Sequence, residues 1–259
     1  KDKNFPVYPI SSRNIEDFDK FIEIMYKILR IKGKKILVFA SDSIKMDWEK
    51  TMELISPEQE NIVKNYPEVL KQMGKMKNEN FKFYLDLIGV DQAHQWRKDE
   101  TKYRENLKKL FDIEMIREEP EEIVKFYNKI NEEEAKKIAE KWIKNAKSVV
   151  PTEKTIINSA KIYLALKNLL AEKKHDIFTP DCGTLLICGK MPAYPCMAFF
   201  ELSNEGLYGI CEADMDSTIS FLFGLSLTNR PGFVSNHTLD LIQNQVTYMH
   251  CFAPNRLYG

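Results

Sequence analysis

The run Lys34–Ala40, KKILVFA, places five apolar residues in succession with no polar alternation. Alternation would mark a strand with one wet face, so an unbroken run of this length reads as a strand buried on both faces, the habit of parallel sheets. Such a strand needs helices above and below it, and the rest of the chain supplies them. Helical periodicity marks Ile15–Leu29 before the strand, and afterwards 120–130, 132–146 and 155–173. Short apolar runs at Leu110–Ile116, Asp176–Thr179 and Leu207–Cys211 read as further strands, with helices over Pro195–Leu202 and Ser217–Leu227. The stretch Met46–Lys109 is highly charged and mostly helical in pattern, with FKFYLDLIGV as a strand inside it. Val149–Thr152, VVPT, reads as a linker, and Arg230-Pro231-Gly232 ends the βα texture. The expected fold is α/β: two Rossmann-like domains with parallel sheets, residues 1–150 and 151–230, then the start of a β-rich C-terminal domain, 231–259, that closes over the cleft.

Chemistry in such folds gathers at the carboxyl ends of the strands, where the loops are free to vary and helix N-termini point their N–H groups. Glu212 and Asp214 lie there, in EGLYGICEADMDSTISF, between an apolar strand and a helix. On a continuing strand, positions i and i+2 face the same way about 7 Å apart, a spacing that suits one cation or one polyol. A structural reading stands beside it: Asp214 is well placed as a helix N-cap accepting from the N–H of Asp216 or Ser217, and Glu212 as a solvent-facing strand residue. Asp181 ends the preceding strand, as a substrate-binding residue or as a turn residue after Pro180. In the β-like run QVTYMHCF, Val246, Tyr248 and His250 face one way and Thr247, Met249 and Cys251 the other. His250 is a ligand candidate or a structural core histidine; Asn244, just before that run, is a candidate substrate-binding residue. His237 is a weaker loop candidate. Ser-Asp-Ser at 41–43 lacks the glycines of a phosphate loop, so Asp42 is a sugar-hydroxyl partner or an N-cap. His94 and Trp96 form either a sugar platform or a half-buried helix start.

Composition excludes more than it selects. Thirty-eight basic residues balance thirty-eight acidic ones, which leaves no electrostatic footprint for nucleic acid or an anionic membrane surface. From Asp181 onward, however, seven carboxylates face three bases, and an acidic end suits a cation better than a phosphate. All five cysteines, 182, 188, 196, 211 and 251, fall in this last third. An odd count without a C-x-x-C pair argues against a disulfide framework and a structural zinc site. They read as small, buried, reduced side chains, with Cys182 or Cys251 the candidates to line a pocket, and a reducing, cytoplasmic location follows. No apolar run approaches a membrane span.

The segment Pro195–Gly259, from PCMAFFELSNEGLYGICEADMDSTISFLFGLSLTNRPGF to QNQVTYMHCFAPNRLYG, resembles the L-fucose isomerase-like superfamily, especially its shorter members. A fainter resemblance extends over Glu132–Cys182. Together these cover under half of the chain. The resemblance implies a metal-dependent aldose–ketose isomerase acting on an open-chain sugar by enediol proton transfer, with Mn²⁺ as cofactor and a homo-oligomeric assembly. It implies Asp214, Glu212 and His250 as metal ligands, Glu212 also as a catalytic acid, and a chain that continues beyond the H-C-x-x-P element. Hard oxygen ligands and imidazole suit Mn²⁺, which as a Lewis acid polarises the sugar carbonyl. Catalytic relatives carry a further glutamate upstream of the Pro-Cys pair, whereas this chain reads ICGKMPAYPC, with Gly189 and Lys190 at the matching positions. Lys190 is therefore a candidate catalytic residue, supplying a cation's charge or a base of lowered pKa, or it is a solvated loop lysine. The departure opens an alternative: a catalytically altered carbohydrate-binding or regulatory protein on the same scaffold. A third reading has Lys190 meeting the carboxylate of a sugar acid.

Overall fold

A computed structural model of the chain describes residues 14–40, 90–187 and 191–258. Helix α1 (Ile15–Leu29) opens at Asn14, whose side chain accepts from Glu16 N at 3.1 Å, and covers the expected range. Strand β1 (Lys35–Phe39) follows. Helix α2 (Val90–Phe111) runs to Phe111, beyond the point where a strand was expected to begin, and turns at Asp112 with φ 56°. Strand β2 is accordingly Glu114–Glu118, displaced toward the C-terminus from 110–116. Then come α3 (Glu121–Lys129), α4 (Glu132–Asn145), α5 (Glu153–Lys173), β3 (Ile177–Pro180), α6 (Cys182–Ile187), α7 (Cys196–Asn204), β4 (Tyr208–Gly209), α8 (Met215–Thr228), β5 (Asn236–Asp240) and β6 (Gln245–Met249). Helix α5 starts two residues before the expected Thr155 because the Thr152 hydroxyl accepts the Thr155 N–H at 3.3 Å and caps it.

The four strands β1–β4 form one parallel sheet in the order β2-β1-β3-β4. Strands from before and after residue 150 therefore share a sheet among the described residues, in place of the two separate sheets expected. The VVPT segment joins α4 to α5, which pack against each other beside that sheet. The physical reason lies in β1. Its central position takes β2 on one edge and β3 on the other, with Leu37 opposite both Ile116 and Phe178.

The sheet is covered on both faces, as KKILVFA requires. Leu37, Phe39 and Phe178 pack with Ile123, Trp142, Leu166 and Phe199 from α3, α4, α5 and α7. Ile36, Val38 and Ile177 pack with Leu107, Phe221 and Leu222 from α2 and α8. Burying each such side chain stabilises the fold by roughly 1.5–3 kcal/mol before conformational entropy is set against it. At the amino edge Lys34 Nζ reaches Asp176 Oδ2 at 2.6 Å, tying the starts of β1 and β3. At the other end of the chain, β5 and β6 form an antiparallel ribbon, in keeping with the β texture read there. No helix among the described residues is long and apolar enough to cross a membrane.

Candidate functional site

The carboxyl ends of β3 and β4 lie side by side, joined by Ile210 N donating to Phe178 O at 3.0 Å. From β3 the chain passes through Asp181, whose N–H donates to Phe39 O at 2.9 Å, into α6 at Cys182. From β4 it enters a tight 3-10 turn, Cys211–Ala213, in which Glu212 (φ 69°) and Ala213 (φ 51°) are both left-handed. Side chains with a Cβ seldom take that conformation, and such residues gather at functional sites.

This turn corrects the expectation for the two carboxylates. Glu212 and Asp214 do not project together from a strand, because the left-handed pair between β4 and α8 redirects the backbone. Asp214 becomes the N-cap of α8: its Oδ1 accepts from Ser217 N at 2.9 Å and its Oδ2 from Ser217 Oγ at 2.6 Å. Its backbone carbonyl takes the Thr218 hydroxyl at 2.6 Å. The structural reading of Asp214 is thus realised, with both carboxylate oxygens engaged. Next to it Asp216 accepts from Tyr103 Oη at 2.6 Å, and burial, then Asp216, then Asp214 push the Tyr103 phenol well above its ordinary range.

Glu212 turns instead toward His250. The imidazole Nε2 lies 3.9 Å from Glu212 Oε1, with the histidine side chain 8% exposed and the glutamate 59% exposed. His250 follows β6 and is seated by Phe252, at a ring distance of 6.3 Å; Phe252 in turn packs on Phe199 of the core at 5.7 Å. The other imidazole nitrogen, Nδ1, is buried and has no hydrogen-bond partner among the described residues. A buried polar atom without a partner is costly in a folded protein and asks for a ligand or a function. The arrangement gives a solvent-facing carboxylate backed by a protected imidazole, a pair that can take up and deliver a proton.

Among the described residues, Asp214, Glu212 and His250 do not converge as the three donors that the resemblance implies. Asp214 is committed to Ser217, and no group of three carboxylate, imidazole or thiolate side chains converges among the described residues. Glu212 and His250 are brought together without it. Asp181 stands at the same sheet edge, close enough for its charge to act on Cys182. Asn244 stands apart, in the β5–β6 turn with φ 51°, at the far end of β6, about 20 Å along the chain direction from His250. His237, read as a loop residue, is exposed in β5 opposite Tyr248. Lys190 and Asp42 lie outside the described residues; His94 and Trp96 lie in the first turns of α2.

Sequence reasoning missed a feature of this edge: its thiols are paired. The Cys211–Ala213 turn packs on the start of α6, which sets Cys211 and the backbone of Glu212 beside Cys182. Cys211, with the Glu212 backbone, outweighs burial and holds the Cys182 thiol below the usual range. Cys211 is pushed far up by Cys182 and by burial. Cys196 lies against Cys251, and burial pushes its thiol up to about 12. All four are reduced. The crowding of every cysteine into the last third of the sequence was the available signal.

At the opposite, amino edge a cleft of 590 Å³ is lined by Lys34, Lys167, Lys174, His175 and Asp176. Lys34 is paired with Asp176 and Lys167 with Glu205 there, so the cleft is a seam of ion pairs. The carboxyl edge, with the Glu212–His250 pair, is the better site. No family model matches the chain, and no curated protein matches it.

Proposed function

We propose that this protein is an aldose–ketose isomerase-like protein, acting on an open-chain sugar by proton transfer at the Glu212–His250 pair. The observation that carries the reading is that pair itself: an exposed carboxylate 3.9 Å from a buried imidazole whose Nδ1 has no partner among the described residues, at the carboxyl edge of a parallel sheet. The resemblance of Pro195–Gly259 to the L-fucose isomerase-like superfamily supports the same class of substrate.

Glu212 takes the proton from the carbon beside the sugar carbonyl, and its exposure lets an open-chain substrate reach it. As the carbon–hydrogen bond breaks, charge develops on the carbonyl oxygen. His250 Nε2, protonated, delivers a proton there, giving a neutral cis-enediol. His250 then takes the proton of the neighbouring hydroxyl while Glu212 returns its own to the adjacent carbon, so aldose becomes ketose with both groups restored. Each group acts as acid and as base within one cycle, the economy expected of a general acid–base pair. Asp181, on the adjacent strand end, is the substrate-hydroxyl partner in this reading.

The test is a panel of pentoses and hexoses assayed for ketose formation with the wild type, Glu212→Gln and His250→Asn. Turnover lost by at least about 100-fold in both variants, the scale of general acid–base catalysis, supports the pair. Absence of turnover for every sugar, with and without Mn²⁺, counts against the isomerase. A second reading has its own observation. Because both carboxylate oxygens of Asp214 are engaged in capping a helix, the scaffold suits a carbohydrate-binding or regulatory protein. That reading expects sugar binding by calorimetry without turnover, and Lys190→Glu gaining activity would trace the loss to position 190.

A further inference from the structure

We propose that Cys182 and Cys211 form a redox-active dithiol that a hydroperoxide closes into an intramolecular disulfide. The inference is independent of the isomerase reading. The two residues come from the ends of neighbouring parallel strands: Cys182 follows β3, Cys211 follows β4, and the ladder bond from Ile210 N to Phe178 O fixes their relative height. The Cys211–Ala213 turn packs on the helix that Cys182 opens, and Cys182 packs against the same apolar cluster that holds Cys211. Exposure divides the roles. Cys182 is half-buried, whereas Cys211 is only 3% exposed. An accessible thiol beside a shielded one is the arrangement that favours attack at one sulfur and capture by the other.

The chemistry balances. Cys182 Sγ attacks an oxygen of the hydroperoxide, the O–O bond breaks, an alcohol or water leaves with the thiol proton, and Cys182 becomes a sulfenic acid. Cys211 Sγ then attacks Cys182 Sγ, and the hydroxyl departs as water with the Cys211 proton. The sulfurs have given two electrons, and a small dithiol returns them. Held side by side, the thiols react at the high effective concentration of a positioned pair, which outruns a second oxidation of Cys182. Closing the bond also turns the Cys182 thiol beside the Glu212 backbone into a disulfide sulfur, a poorer acceptor, so oxidation acts on the turn that carries Glu212.

The experiment treats the whole chain with hydrogen peroxide in slight excess, blocks remaining thiols, and maps non-reduced peptides by mass spectrometry. The expected product is one cross-linked species joining the peptides of Cys182 and Cys211, two hydrogens lighter than their sum and reversed by dithiothreitol. Cys211→Ser should yield a dimedone adduct at Cys182 in its place, and Cys196→Ser with Cys251→Ser should leave the cross-link intact. The wild-type map stands even where a variant fails to fold. The proposal is overturned by complete alkylation of Cys182 and Cys211 after peroxide, by a cross-link joining Cys196 to Cys251 or two chains instead, or by Cys182 passing to sulfinic acid uncoupled from Cys211.

Discussion

Phe199 packs against Gly209, so closely that a Cβ at Gly209 would stand 2.4 Å from Phe199 Cδ1 and 2.7 Å from Phe178 Cζ. The two rings meet edge to face at 5.4 Å, and the strand β4 slides in beside them only because position 209 has no side chain. This contact sets how deep β4 sits, and with it the height of the Cys211–Ala213 turn and of Glu212.

Gly209→Ala should therefore destabilise the protein by about 1–3 kcal/mol, the usual cost of overpacking a core. Both obstructing atoms belong to fully buried rings that have nowhere to move. Urea denaturation gives the measure. An unchanged midpoint would mean that β4 is not seated by this contact.

At the start of α8, Asp214→Ala should cost about 1 kcal/mol and Asp214→Asn much less, since an asparagine oxygen still accepts from Ser217 N. Mn²⁺ retained after dialysis, measured by elemental analysis, should be the same in the wild type and Asp214→Asn. Metal lost selectively in that variant would restore Asp214 to a ligand set and displace the capping role.

How much of this was legible beforehand follows from which interactions are local. Helix α1 was readable because its periodicity and its Asn14 cap sit within one stretch of chain. The buried parallel strand was readable because an unbroken apolar run admits few other fates. β2 was placed too early because Leu110 and Phe111 look like strand residues, yet α2 carries them on and leaves Leu110 69% exposed. The relation of Glu212 to Asp214 was not readable, since left-handed backbone at Glu212 and Ala213 carries no glycine or asparagine to announce it. The Glu212–His250 contact and the thiol pairs depend on strand order and on the return of the chain after β6, which no local pattern specifies.

Acid should weaken the protein through Glu205. Burial alone would raise its carboxyl, but hydrogen bonds from Lys167 and Tyr163 prevail and hold it below its ordinary 4.5. Lys167 Nζ stands 2.7 Å away, with the glutamate side chain 33% exposed. A carboxyl lowered in the folded state contributes stability that is fully present above pH 4.5 and is lost as pH falls through the folded value. Glu205→Gln should cost up to about 1 kcal/mol at pH 7, as a partly exposed pair does. Urea denaturation at pH 7 and below pH 4 should show that difference shrinking in acid. A gap that is constant with pH would assign the loss to packing.

His250 separates a functional histidine from a structural one. A structural core histidine has both nitrogens satisfied, and removing it leaves its partners unpaired, at about 1–3 kcal/mol for each buried group stranded. His250 has the opposite signature: Nδ1 is buried with no partner among the described residues, and Nε2 faces the exposed Glu212 at 3.9 Å. Deleting the polar atoms strands little, because Glu212 can turn to water. His250→Leu should then leave the urea midpoint unchanged or raised, while abolishing whatever turnover or sugar binding the wild type shows. A fold that depends on this imidazole would lose stability in His250→Leu instead, and its Nδ1 would have to be satisfied by a structural group. Stability gained with function lost is the mark of a residue held at a cost for its chemistry.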